Sequence, residues 1–206
     1  MKYNCKLGIG LIPRDQERIY QLVETIDSNF GLGFKTEPGV SIPHITLFQG
    51  RFKEEESVNE VVRVLDIADL SLDSVGVGID IWARKILFLN IDKTKELSRL
   101  HYETFARVFP LCAGKPADAQ NLVGISLEQR KSLDATGFPF TGSLYLPHFT
   151  LAHLDIVPRG SCLEDLNGIS KPYLAKPFKF DKLVTYEAGK FGACKKVLYE
   201  RLIDEY

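Results

Sequence analysis

Pro43-His44-Ile45-Thr46-Leu47 and Pro147-His148-Phe149-Thr150-Leu151 are two copies of one pentapeptide, Pro-His-apolar-Thr-Leu, with their histidines 104 residues apart. Two of the chain's four histidines therefore occupy the same slot. Proline disfavours helix in the residue before it and donates no hydrogen bond, so each copy is expected to open an extended strand. Side chains alternate along a strand, which puts His and Thr on one face. Ile45 or Phe149, and the leucine ending each copy, take the other. Each copy would bury its apolar face and present an imidazole beside a hydroxyl.

Two such faces set opposite one another would make a symmetric site. Its chemistry would be proton transfer at both ends of a displacement. One histidine takes a proton from the nucleophile and the other gives one to the leaving group, each role commonly worth about 10²–10⁴ in rate. Histidine suits both because its ordinary pKa lies near neutrality. The Thr46 and Thr150 hydroxyls can donate to non-bridging oxygens of a phosphate without adding charge. Which imidazole is base and which is acid stays open at this point.

This pattern resembles the 2H phosphoesterase superfamily, whose signature is a pair of His-x-Thr-x motifs about a hundred residues apart. Its members include 2′-5′ RNA ligase-like proteins and cyclic nucleotide phosphodiesterases. Residues 1–109 also follow that family's order of strand, helix, motif strand, helix, hairpin and helix. The resemblance implies an α+β fold of two lobes related by a pseudo-twofold axis, with antiparallel sheets facing a central cleft and helices outside. One His-x-Thr from each lobe would face that cleft. It implies metal-independent hydrolysis of a 2′,3′-cyclic phosphate or a 2′-5′ linkage, with His44 and His148 catalytic, Thr46 and Thr150 on the phosphate, and no cofactor.

The rest of the sequence is compatible with that reading. The 206 residues can bury a sizeable core, and we read residues 1–206 as a single two-lobed domain with a loop-rich insert at about 110–146. Hydrophobic content of 45% and charged content of 26% are those of an ordinary globular chain. A net charge of −1 argues against broad binding to duplex nucleic acid, which depends on many phosphate contacts. An RNA end or a small nucleotide remains compatible as the partner, and a monomer is expected. Cys5, Cys112, Cys162 and Cys194 show no metal-ligand spacing and read as free thiols in a reducing compartment. Gly8, Gly10 and Pro13 interrupt the N-terminal apolar run, so neither a signal peptide nor a membrane span is expected, and the cytoplasm is the default.

Along the chain, a strand is expected over 3–12 and a helix from Asp15 to Phe30. The first motif strand runs from His44 to about Phe52, and a helix opens at Glu54–Glu56. A hairpin pairs Val75–Ile81 with Ile86–Ile91, and Asp92 can cap a helix to Phe109. A short strand at Leu122–Ser126 and a half-turn near Leu127–Leu133 are expected inside the insert. The second motif strand spans about 147–154, a short helix 162–169, and a terminal hairpin joins Phe178–Ala188 to Cys194–Leu202. Phe48 would share the His44 face in a regular strand, although a core aromatic is the commoner assignment. His153 falls on the opposite side from His148 by alternation, which gives it a structural role and no metal. His101 sits at the margin of a helical stripe. Two further readings remain beside the enzyme: a non-catalytic RNA- or nucleotide-binding module that keeps the cleft, and, weakest, a metal-dependent hydrolase using three histidines.

Overall fold

The computed structural model describes residues 5–67, 72–113, 123–154 and 162–203. In order these form β1 (Cys5–Pro13), α1 (Gln16–Phe30), β2 (Ile45–Phe52), α2 (Glu55–Val64), β3 (Asp73–Ser74), β4 (Gly76–Trp82), β5 (Ile86–Ile91), α3 (Lys95–Val108), α4 (Leu127–Thr136), β6 (His148–His153), α5 (Cys162–Leu174), β7 (Phe178–Ala188) and β8 (Cys194–Leu202). The fold is α+β, and every strand pairing is antiparallel.

The sheet runs β3-β7-β1-β2-β6-β5-β4, with β8 on β7. Two well-paired halves meet in the middle, where the motif strands β2 and β6 share the single pair Ile45↔Phe149. The terminal hairpin completes the first half, since β7 lies directly against β1.

Helix ends follow local chemistry. Asp15 accepts from Arg18 N at the start of α1, and Gly31, at φ 65°, ends it. Thr94, rather than the expected Asp92, caps α3 by accepting from Leu97 N. A full helix replaces the expected half-turn at 127–133, because Ser126 and Gln129 form a reciprocal capping box and left-handed Gly137 closes the far end. Residues 123–126 are not strand, and Leu122 lies outside the described residues. The helix expected over 162–169 continues to Leu174 with Pro172 inside it. Arg201, on β8, holds the end of α2: its Nη1 lies 3.5, 2.9 and 2.7 Å from the carbonyls of Val62, Arg63 and Leu65.

One face of the sheet is the core. Leu7, Ile9 and Leu11 of β1 share it with Ile19, Leu22, Val23 and Ile26 of α1, Val58 and Val62 of α2, and Leu97 and Leu100 of α3. Fully burying each such side chain stabilises by roughly 1.5–3 kcal/mol, which is why the amphipathic helices lie on this face. Phe138, Phe140 and Tyr145 from the insert also belong to it, so residues 138–145 are anchored in the core rather than forming a free flap. Among the described residues no helix is long and apolar enough to cross a membrane.

Candidate active site

The pair Ile45↔Phe149 fixes the arrangement of both motifs. Extending that antiparallel register by one residue sets His44 across from Thr150 and Thr46 across from His148. All four then lie on the face opposite the core, and the central pair Ile45 and Phe149 is fully buried beneath them. Imidazole and hydroxyl alternate around the block, as the duplicated pentapeptide requires.

Both histidines are anchored identically. His44 Nδ1 lies 2.9 Å from the Ile42 carbonyl, and His148 Nδ1 lies 2.7 Å from the Leu146 carbonyl. A carbonyl only accepts, so each Nδ1 carries the proton and each Nε2 keeps its lone pair for chemistry. The rings are nearly closed off, at 6% and 8% exposure. Burial disfavours the imidazolium and pulls both pKa values down to about 4. The Ile42 and Gly192 backbone contacts at His44, and the Leu146 contact at His148, oppose that shift without cancelling it. His44 lowers His148 further by like-charge repulsion, so the two imidazoles sense each other across the seam.

The duplication extends to a defect in the strands. Ile9 pairs with Phe48 and Gly10 with Thr46, which leaves Leu47 out of the ladder. Leu87 pairs with Ala152 and Phe88 with Thr150, which leaves Leu151 out in the same way. Each pentapeptide therefore ends in a bulge, and the face reverses after it. The carbonyls at these bulges find partners: His101 Nδ1 donates to Leu47 O at 2.7 Å, and Thr36 N to Leu151 O at 2.8 Å. His101 is consequently a fully buried cross-link rather than a boundary residue. Its Nε2 accepts from Gly142 N at 2.9 Å, and its ring stacks on Tyr145 at 4.1 Å.

The reversal decides two residues. Phe48 turns into the core, fully buried against Phe52, Phe105 and Phe138. His153 turns the other way. It pairs with Ile86, which shares a face with Phe88 two residues on, and so joins the histidine side instead of the opposite one. Its ring stacks on Phe191 at 4.0 Å, in the turn Lys190–Gly192, whose Gly192 backbone also meets His44. Strict alternation fails here because it assumes an unbroken ladder.

The two halves differ in what packs around the imidazoles. Tyr186 of β7 lies beside His44, ring centroids 4.6 Å apart, and its hydroxyl is 3.0 Å from Thr46 Oγ1. Phe88 of β5 stacks on His148 at 3.6 Å, with Phe140 edge-on at 5.3 Å. Asn90, paired with His148, has a buried Oδ1 with no hydrogen-bond partner. Neither Tyr186 nor Asn90 carried a motif signal. Among the described residues, no group of three or more His, Cys, Asp or Glu is placed to hold a metal ion. Two surface hollows, of about 400 and 320 Å³, lie beside Tyr173 and beside Arg18 and Phe178, and no motif residue lines either.

No family model matches the chain, and no curated protein does. Solved structures do. E. coli LigT, crystallised with ATP, superposes with a TM-score of 0.56 at 11% identity over 98% of this chain and 99% of that one. A second crystal structure, a phosphoesterase, superposes with a TM-score of 0.50 at 13% identity over 98% and 99%. The chain has the LigT-like α+β fold, held almost end to end at 11% identity.

Proposed function

We propose that this chain is a phosphodiesterase of the 2H type, acting on a 2′,3′-cyclic phosphate or 2′-5′ linkage at an RNA end or in a small nucleotide. The observation that carries the reading is the matched anchoring of His44 and His148, each with Nδ1 bound to the carbonyl two residues earlier and Nε2 left for substrate. Its fold neighbour LigT has been crystallised with ATP, a nucleotide that carries the phosphate chemistry this site suits. Free thiols at Cys112, Cys162 and Cys194 suit the reducing cytoplasm.

In this mechanism one neutral imidazole removes a proton from water as its oxygen attacks phosphorus. The other, protonated, gives its proton to the departing ribose oxygen. Thr46 and Thr150 hold the non-bridging oxygens as charge builds. Both imidazoles are neutral near pH 7 in the empty site. The bound phosphate anion supplies what the acid needs: an opposite charge close by favours the imidazolium, by about 1–3 pKa units.

A panel of 2′,3′-cyclic nucleotides, 2′-5′-linked dinucleotides and cyclic-ended RNA tests this. Turnover should resist EDTA, follow a bell-shaped pH profile and vanish in both His44→Ala and His148→Ala. Full activity in either variant would refute the assignment. Deep burial of both imidazoles is also what a nucleotide-binding module without turnover would show. Tight nucleotide binding with no product from any member of the panel would favour that second reading.

A further inference from the structure

Tyr186 stands outside both motifs yet touches both working side chains of the first. Its hydroxyl is 3.0 Å from Thr46 Oγ1, its ring leans on His44, and it is fully buried. The chain makes deliberate room for it. A Cβ on Gly8 would fall 2.1 Å from Tyr186 Cζ, and one on Gly10 would fall 2.6 Å from the Ile45 carbonyl and 3.3 Å from Tyr186 Cε1. Neither glycine has a positive φ, so space and not backbone conformation explains both.

Filling that space would need only a phenylalanine. The second half does so, since Phe88 is the ring against His148 and has no hydroxyl. Among the described residues no side chain holds the Thr150 hydroxyl either; Thr36 takes the Thr150 backbone carbonyl instead. The phenolic oxygen is thus a specific addition to the first motif.

We propose that Tyr186 is a positioning residue of the phosphate site: it donates its proton to Thr46 Oγ1, which leaves the Thr46 proton aimed outward at a non-bridging oxygen of the substrate. This rests on the phosphodiesterase reading above. A phenol is the stronger donor and the weaker acceptor of the two hydroxyls. Burial drives its pKa well above the usual tyrosine range, so it keeps its proton. A threonine oxygen has one proton and two lone pairs. Once Tyr186 occupies a lone pair, the Thr46 rotor has one useful direction left. Thr46 becomes a preset donor, while Thr150 remains a free rotor.

Tyr186→Phe keeps the ring and removes the hydroxyl. We expect kcat to fall about 10-fold with KM within about twofold and the pH profile unmoved, the pattern of an interaction lost from the transition state. In a Thr46→Val background, where the partner is gone, Tyr186→Phe should cost nothing further. A purely structural tyrosine would instead lower the melting temperature and scale both backgrounds equally. An unchanged kcat, or equal losses in the two backgrounds, overturns the proposal. His44→Ala runs in the same assay: if it keeps full rate, or if wild type turns over nothing, the phosphodiesterase reading fails. Inorganic phosphate, titrated by NMR, then tests Tyr186 independently of turnover. Binding weakened about fivefold by Tyr186→Phe supports the role. Equal binding, or no binding to either protein, overturns it.

Discussion

Lowering the pH from 7.5 to 5 should remove about 6 kcal/mol of folding stability, through three buried imidazoles. His44, His101 and His148 each have a pKa of about 4 in the fold against an ordinary 6.5. Between those values the unfolded chain binds more protons than the folded one, so stability falls as the pH falls. It is complete above pH 6.5, declines through the window, and loses no more from these groups below about 4. At pH 5 each unfolded histidine is nearly fully protonated and each folded one nearly neutral, a difference of about 2 kcal/mol per residue. The total is comparable with the whole stability of a typical domain, roughly 5–15 kcal/mol. Asp27, Glu56 and Glu128 have lowered pKa values, so their losses come at lower pH and leave this window to the histidines. Urea unfolding followed by fluorescence of Trp82, the only tryptophan, gives the readout. With a slope of about 2 kcal/mol per molar, the midpoint should drop by about 3 M between pH 7.5 and 5. His101→Gln should remove about one third of that dependence. A midpoint that barely moves, or NMR titrations placing these three imidazoles near 6.5, would refute the reasoning.

His44→Ala and His148→Ala should each reduce kcat by about 10²–10⁴ while circular dichroism stays native, and a residual rate near wild type would remove that residue from the chemistry. Gly8→Ala should cost about 1–3 kcal/mol, the usual penalty of overpacking, and should lower activity by pushing Tyr186 off Thr46; thermal unfolding beside a rate measurement checks both, and a neutral effect would mean the floor under Tyr186 yields easily. Arg201→Ala strips the guanidinium from the carbonyls of Val62, Arg63 and Leu65 and should destabilise by about 1–3 kcal/mol without altering kcat, as measured by urea denaturation and assay.

Most elements can be read from the sequence because their signals are local. The β7–β8 hairpin falls at Phe178–Ala188 and Cys194–Leu202, where alternation puts it. The motif strands follow from their prolines, and the shared face of His44 and Thr46 follows from a period of two. What fails does so at particular residues. Leu47 and Leu151 each slip out of the ladder, and a pattern count has no term for a bulge, so Phe48 and His153 exchange the faces that alternation gives them. The helix at 127–136 had its signal in Ser126, Gln129 and Gly137, but the surrounding Gly and Pro punctuation obscured it. Tyr186 was out of reach for another reason: it meets Thr46 across 140 residues, and its only local trace is the pair of small residues at Gly8 and Gly10. The same holds for His101, whose partners Leu47 O and Gly142 N belong to distant segments.

The seam between β2 and β6, held by the lone rung Ile45↔Phe149, works as a pivot. Residues one step from that rung sit about 3.4 Å out on a lever, so a splay of about 10° displaces each by roughly 0.6 Å. Catalytic groups need placement within about 0.5 Å, so the gap between the imidazoles is tuned by whatever sets the splay. Phe178 and Phe180, stacked beneath Phe149 at 5.1 and 6.1 Å, are that adjusting wedge. Trimming either should detune the distance between His44 and His148 from the far side of the sheet, without touching a single group that meets the phosphate.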